Sequence, residues 1–353
     1  MANYIEDYKY WLEKVSAEER QELESVKDND EQLKRRFAMP LEFGTAGMRG
    51  IISLGTGCLN KYTVRRATQG VADFIKEMGK QERGVVISYD TRNFSYEFAL
   101  ETAGVLAYNG IKVYLYNDTH PVPMCSFAIR HLNAFAGIMI TASHNPKEYN
   151  GYKVYGEDGA QMSPEDTAIV VKYIENIKDY FAVKSVEIKA ARDTIKSMND
   201  EILQENITVI GSEVDEAYFA ELTKLSLSPE AVKEVASKIK IVYTPIHGSG
   251  YKPVTTILKK MNIPCNVVEE QKQPDGNFPT VAVPNPEQPD ALKMGINLAK
   301  QLRSNIVIGT DPDADRMGVA IKDNNGEFVL LTGNQIGAMM MNYILMRHKD
   351  MGT

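Results

Sequence analysis

The chain has 353 residues, 43% of them hydrophobic and 25% charged; at roughly 150 residues per domain this predicts two or three domains with sizeable cores, and it excludes a mainly disordered chain. Lys and Arg total 40 against 47 Asp and Glu, a net charge of −7 with no Lys/Arg block, which argues against a general nucleic-acid binder and leaves only local anion sites open. Three cysteines, Cys58, Cys125 and Cys265, lie far apart; they build neither a disulfide framework nor a CxxC zinc site, so a reducing compartment is expected.

Residues 1–38 read as a charged amphipathic helix with a small apolar stripe at Trp11, Leu12 and Val15. With no apolar core, this stretch is not expected to be a secretory signal. A glycine-dense loop follows, Phe43-Gly44-Thr45-Ala46-Gly47-Met48-Arg49-Gly50. Short β-branched runs then alternate with helical patterns. Strands are predicted at 85–89, 111–116 and 137–140, and again at 239–243, 265–268, 306–308 and 319–321. Helices are predicted near 62–78, 96–108, 164–178, 214–224, 252–261 and 289–302. Such alternation predicts α/β layers with largely parallel pairing. A strand at 328–332 and a helix at 334–348 close the chain. The apolar stretch Ile336–Met346 is interrupted by Asn342 and is too short to span a bilayer. A cytoplasmic protein with no membrane partner is expected.

An internal echo divides the chain. VVISYDTRN, a helix and NGIKVYLY resemble IKIVYTPIHGSG, a helix and MNIPCNVV. Both read as strand, polar loop, helix, turn, strand, and IVIGTDPDADR opens with the same strand-to-loop step. The segment 183–210 is polar and broken in pattern, which sets a first boundary near 207. The turn cluster Asp323-Asn324-Asn325-Gly326 sets a second. The expected units are 1–207, 208–325 and 326–353. One strand and one helix do not make a domain, so the last unit reads as the start of a third, cut short.

Two loops carry candidate chemistry. Ile138–Pro146 runs from an apolar strand into Thr141-Ala142-Ser143-His144-Asn145-Pro146, the place where α/β proteins put ligands. Ser143 there is a candidate nucleophile or phosphoryl carrier; the competing reading is a Ser/Asn turn bonded to its own backbone. Asn150-Gly151-Tyr152-Lys153 adds a turn and a cation. The second loop is Gly309-Thr310-Asp311-Pro312-Asp313-Ala314-Asp315-Arg316. Three carboxylates at spacing two can converge on a hard cation, and oxygen-only ligation favours Mg²⁺ or Ca²⁺ over zinc. An EF-hand is excluded because Arg316 stands where Gly is needed and Lys322 where Glu is needed. The bland reading, a solvated acidic turn, leaves three like charges repelling.

Weaker signals surround these. Arg49 and its glycines suit an anion, although such a loop is more often a plain turn. His247, on the loop after the 239–243 strand, reads as structural, and Lys61, Arg65 and Arg66 as a solvated helix face. GK[ST], strand-linked GxGxxG, HExxH and GxSxG motifs are all missing.

Taken together, TASHNP, GTDPDADR, FGTAGMRG and NGYK resemble the phosphoserine, magnesium, arginine and lysine motifs of the α-D-phosphohexomutase family. YTPIHGSG, PDGNFPTVAVPNPEQPDAL and LTGNQIGA are similar to further landmarks, so the resemblance runs from about residue 40 to the end. It implies tandem three-layer α/β/α domains with mixed, largely parallel sheets. It implies a phosphorylated Ser143 bound with Asp311, Asp313 and Asp315 to Mg²⁺. Arg49, Lys153 and His144 would serve catalysis. Thr45, Arg49, Asn145, Lys153, His144 and Arg316 would contact substrate or its phosphates. The implied activity is interconversion of glucose 1-phosphate and glucose 6-phosphate through glucose 1,6-bisphosphate. A mannose or pentose phosphate is the alternative substrate, and a non-catalytic sugar-phosphate-binding module the alternative class. The family's sugar-selecting and distal phosphate loops are not among these residues. The chain is therefore expected to be a piece of a longer enzyme, weak or inactive alone.

Overall fold

The computed structural model describes residues 4–45, 47–186, 188 and 206–352. The N-terminal stretch is three helices rather than one: α1 (Tyr4–Lys14), α2 (Ala17–Glu24) and α3 (Asp30–Phe37). Ser16 and Asn29 divide it, each accepting a hydrogen bond from the backbone N–H three residues on, and Glu19 returns the bond to Ser16. Such caps start a new helix instead of extending an old one. Trp11 anchors the layer, fully buried and edge-on to Phe37, Tyr62 and Phe181.

The first sheet is built from β1 (Gly47–Ile51), β2 (Val85–Tyr89), β3 (Val113–Tyr116), β4 (Ala136–Ile140), β5 (Tyr149–Tyr155) and β6 (Ile207–Ile210). Their order is β1-β5-β4-β2-β3-β6. Strands β4, β2, β3 and β6 run parallel, and β5 and β1 are added antiparallel. Every residue of β2 and β4 is buried, as expected of strands covered on both faces. Alternation sorts their side chains: Ile87, Ile138 and Ile140 join one core cluster, Val86 and Met139 the other. Helices α4 (Lys61–Glu77), α5 (Ser95–Tyr108) and α7 (Pro164–Asn176) supply the first cluster; α6 (Val122–His131) and α8 (Ser212–Lys224) supply the second.

The second sheet contains β7 (Ile241–Thr244), β8 (Cys265–Val267), β9 (Ile306–Thr310), β10 (Met317–Lys322) and β11 (Phe328–Leu331), in the order β11-β10-β9-β7-β8. Here too β9, β7 and β8 are parallel, with β10 and β11 antiparallel beyond them. Helices α9 (Pro229–Ala236), α10 (Tyr251–Lys260), α11 (Glu269–Lys272) and α12 (Pro289–Leu302) accompany it, and α12 lies on β7 and β9. A last helix, α13 (Gly333–Met351), exposes Met339, Met341, Ile344 and Leu345.

Several expectations need correction. The glycine-dense loop becomes strand β1 from Gly47 onward, because Met48 and Gly50 turn inward. Gly47 holds φ +147°, and a Cβ there would lie 2.0 Å from the Tyr152 carbonyl; only glycine permits this approach. The NGYK turn is likewise part of strand β5. The boundary near 207 cuts β6, whose Ile207 and Ile210 enter the two cores of the first sheet. The break at 325/326 falls inside a hairpin: Asp323–Gly326 is the turn joining β10 to β11, since turn residues mark hairpins as readily as linkers. Most of the polar segment expected at 183–210 lies outside the described residues. Among the described residues no helix is long and apolar enough to cross a membrane.

Candidate active site

The loops after β4 and β9 meet. Ser143 is buried and held at φ +53°, a left-handed conformation that costs a residue with a Cβ on the order of 1–3 kcal/mol and clusters at functional sites. Its hydroxyl donates to Asp311 Oδ2 at 2.7 Å and lies 3.1 Å from His144 Nδ1. Two loops 168 residues apart thus place a serine oxygen against a carboxylate.

Asp311, Asp313 and Asp315 offer one oxygen each within 4.8 Å of one another. Asp313 Oδ2 accepts from Lys153 Nζ at 2.9 Å and lies 3.1 Å from Thr141 Oγ1. Lys153 Nζ also reaches Asp315 Oδ2 at 3.4 Å. Asp313 Oδ1 is buried and meets no hydrogen-bond donor among the described residues. An orphaned carboxylate oxygen is costly unless a further positive group faces it. Burial, then repulsion by Asp313 and Asp315, pushes the Asp311 carboxyl up to about 9. Burial would also raise Asp313, but the Lys153 charge together with hydrogen bonds from Asp311, Lys153 and Thr141 outweighs it and holds Asp313 below the ordinary range. Burial pulls the Lys153 ammonium down, and the two carboxylates more than reverse this. His144 is pushed down by burial and by Arg316 and Arg49 nearby, which favours the neutral imidazole. Arg49, on β1, donates to Asn145 Oδ1 at 2.9 Å. The Arg316 backbone N–H donates to Asp311 Oδ1 at 3.1 Å, and its half-exposed guanidinium lies 3.9 Å from Asp315 Oδ1.

The sequence matches the phosphoglucomutase/phosphomannomutase alpha/beta/alpha domain I over residues 40–181 and domain II over residues 216–326. The chain belongs to the α-D-phosphohexomutase family. It is 39% identical over 311 residues to a phosphoglucomutase of Staphylococcus haemolyticus (strain JCSC1435), covering 88% of this chain and 54% of that protein. It is 37% identical over 342 residues to a phosphoglucomutase of Staphylococcus aureus (strain N315), covering 96% and 58%. The chain therefore spans little more than half the length of these curated relatives. Among solved structures it resembles a putative phosphomannomutase from Thermus thermophilus, with TM-score 0.63, 28% identity, and coverage of 82% of this chain and 58% of that one.

Within this family member the residues singled out by sequence fall into two groups. Ser143, His144, Asp311, Asp313, Asp315 and Lys153 form one bonded cluster, with Arg49 and Asn145 at its edge. Thr45 stands apart: it is exposed, and its carbonyl accepts from Thr167 on α7. His247 is buried between the Gln273 carbonyl and Thr280 Oγ1, as a structural histidine would be. Arg65 pairs with Glu101, and Arg66 donates to the Ile177 carbonyl, so neither is simply solvated. A cleft of about 620 Å³, lined by His120, Asp215 and Lys252, holds none of the cluster; clustered buried carboxylates set the candidate site apart, and hollow volume does not.

Sequence reasoning missed the residues behind the serine. Asp90 Oδ2 lies 2.7 Å from Thr141 Oγ1, which accepts from Ser143 N at 2.8 Å. Arg92, entirely buried in its side chain, donates to carbonyls of the serine loop. The available signal was the echo itself: YDTRN follows a strand just as TASHNP and TDPDADR do.

Proposed function

We propose that this chain carries the phosphoryl-accepting half of a phosphohexomutase site, most simply a phosphoglucomutase acting through glucose 1,6-bisphosphate. The observation that supports this reading is the 2.7 Å contact between Ser143 Oγ and Asp311 Oδ2, set beside the orphaned oxygen of Asp313. Three carboxylates and a serine oxygen are a hard, oxygen-only donor set that suits Mg²⁺ and leaves room for a phosphate oxygen. When bound, Mg²⁺ would draw negative charge from the phosphoserine bridging oxygen and ease its departure.

The chain's own residues would do the rest. A sugar hydroxyl oxygen attacks phosphorus as the Ser143 Oγ–P bond breaks; the hydroxyl proton passes to solvent, and the serine oxygen takes one up from solvent by way of His144. Lys153, kept cationic by its carboxylate neighbours, neutralises the equatorial phosphoryl oxygens and is a poor base. His144, neutral and 3.1 Å from Ser143 Oγ, is the group placed to hold the serine's proton. Arg49, bonded to Asn145, and Arg316, beside Asp315, edge the cluster and suit phosphate oxygens. With all three cysteines free, the reducing cytoplasm is the compartment we propose.

Incubation with glucose 1,6-bisphosphate and Mg²⁺, followed by peptide mass spectrometry, should find phosphate on Ser143. Phosphate absent from Ser143 at saturating bisphosphate would sink the reading. Comparing mannose and pentose bisphosphates in the same assay ranks the sugars.

A further inference from the structure

Burying a guanidinium costs several kcal/mol unless its N–H donors find partners. Arg92 finds four hydrogen bonds in one place, while its Nε makes none and faces Asp90 Oδ2 at 3.4 Å. Its Nη1 donates to the carbonyls of Pro146 at 2.9 Å and Tyr149 at 3.0 Å, and its Nη2 to those of Ser143 at 2.6 Å and Asn145 at 2.5 Å. Three of the four acceptors belong to the serine loop, and the fourth, Tyr149, opens strand β5 where that loop ends. A buried arginine needing only satisfaction would take carbonyls from any neighbouring strand. Here a rigid planar fork meets four carbonyls of one short segment, which fixes their relative orientation.

Ser143 is gripped on both sides. Its N–H is held through Thr141 to Asp90, and its carbonyl is held by Arg92. Asp90 in turn accepts from the Arg92 backbone N–H at 2.9 Å and from Ser95 Oγ at 2.7 Å, tying the two supports together. These contacts offset the cost of φ +53° at a non-glycine residue and aim the hydroxyl at Asp311. The second half of the molecule reaches the same arginine. The Phe278 ring centroid lies 5.1 Å from the guanidinium carbon, and Asn277 Oδ1 accepts from Asn93 at 3.1 Å.

We propose that Arg92 is a positioning residue for phosphoryl transfer: it locks the serine loop in its reactive shape, and Phe278 of the second unit closes over it. This rests on the phosphotransfer reading above. The test uses Arg92→Lys and Phe278→Leu in the full chain, with two readouts: the rate of phosphoryl transfer from glucose 1,6-bisphosphate to Ser143, and hydrogen exchange across 141–149. In Arg92→Lys, transfer at saturating donor should fall on the order of 100-fold, with the half-saturating concentration changed by about threefold at most. Exchange should quicken in 141–149 while strands β2 and β4 stay protected. Transfer within about twofold of wild type, or a loss tracked by faster exchange throughout the first sheet, would overturn the proposal. Should Arg92→Lys fail to fold, Phe278→Leu decides: slower transfer with faster exchange confined to 141–149 supports the proposal, and an unchanged loop ends it. If wild type accepts no phosphate, the phosphotransfer reading falls by itself, and the exchange comparison still judges whether Arg92 sets the loop.

Discussion

The two sheets of the molecule share one plan. In the first, β5-β4-β2-β3 runs antiparallel, parallel, parallel; in the second, β10-β9-β7-β8 repeats that order and those directions, and β1 and β11 each add a further antiparallel strand. The loop after β4 and the loop after β9 are therefore equivalent. Each also contains a non-glycine residue with positive φ, Ser143 at +53° and Ala314 at +48°. The difference lies in what each loop carries and what stands behind it. The first presents a hydroxyl and an imidazole, backed by Asp90 and Arg92. The second presents three carboxylates, backed by the Ser249 N–H and hydroxyl on the Pro312 carbonyl, the Val122 N–H on the Asp313 carbonyl and the Tyr243 hydroxyl beside Thr310 Oγ1. One strand-to-loop device, used twice face to face, sets a serine hydroxyl against three carboxylates from opposite sides. Neither unit is a site alone.

The sharpest break of this complementarity removes the group that only the first loop has. Ser143→Ala should abolish phosphate incorporation and lower mutase turnover on the order of 10⁴-fold or more, with the melting temperature little changed. Mutase activity near wild type in that variant would end the phosphoserine account. The next test moves to the other loop. Asp313 is buried and paired with Lys153, whereas Asp315 is partly exposed. Asp313→Asn should slow transfer about 10²- to 10³-fold and free Lys153 from its main partner. Asp315→Asn should do markedly less, and equal losses in single-turnover assays would refute the unequal weighting.

The parts of this plan that were legible in the sequence are those written in local pattern. Buried parallel strands such as VVISY and AGIMI announce themselves as apolar runs, and TASHNP and TDPDADR announce themselves as polar loops at strand ends. Strands β1 and β5 hid because their sequences, GMRGI and YNGYKVY, carry glycines that read as turns. Those glycines serve close backbone contact, as Gly47 against Tyr152 illustrates. Arg92 hid for a different reason. A lone arginine after a strand reads as solvated, and only the folded chain reveals four carbonyls around it. The hairpin turn at Asp323–Gly326 shows the converse: its residues and both flanking strands were legible, and only their pairing was not.

The asymmetry of charge between the loops also predicts a pH dependence. In the metal-free protein Asp311 is pushed up from 3.8 to about 9 by burial and by its carboxylate neighbours. Between those values the folded state keeps a proton that the unfolded chain has lost, so stability falls as pH rises through that window. A divalent cation needs the carboxylate, hence binding expels this proton and tightens with pH, by up to about tenfold per unit, until about pH 9. Thermal shift should therefore register a larger Mg²⁺-induced rise in melting temperature near pH 8.5 than near pH 6. Asp311→Asn should flatten both trends, and a Mg²⁺ effect that shrinks with rising pH would contradict the assignment.

The smallest effect concerns the contact that holds the two loops opposite each other. Gly276 sits beside the Asn277–Phe278 segment, and a Cβ there would come within 2.4 Å of the Asn93 backbone nitrogen. That atom is backbone, so it does not swing aside as a flexible side chain would. Gly276→Ala must separate the segment from the Arg92–Asn93 loop, at a cost of about 1–3 kcal/mol. The strain falls between the units, since Gly276 comes from the second and Asn93 from the first. Hydrogen exchange should therefore rise at 274–278 and at 141–149 while β2 and β4 keep their protection. Phosphoryl transfer to Ser143 should slow by less than in Asp313→Asn, because the carboxylates remain and only their distance from the serine changes. A variant equally destabilised but with transfer at the wild-type rate would mean that the serine loop keeps its aim without the second unit, and the face-to-face arrangement would then matter for charge alone.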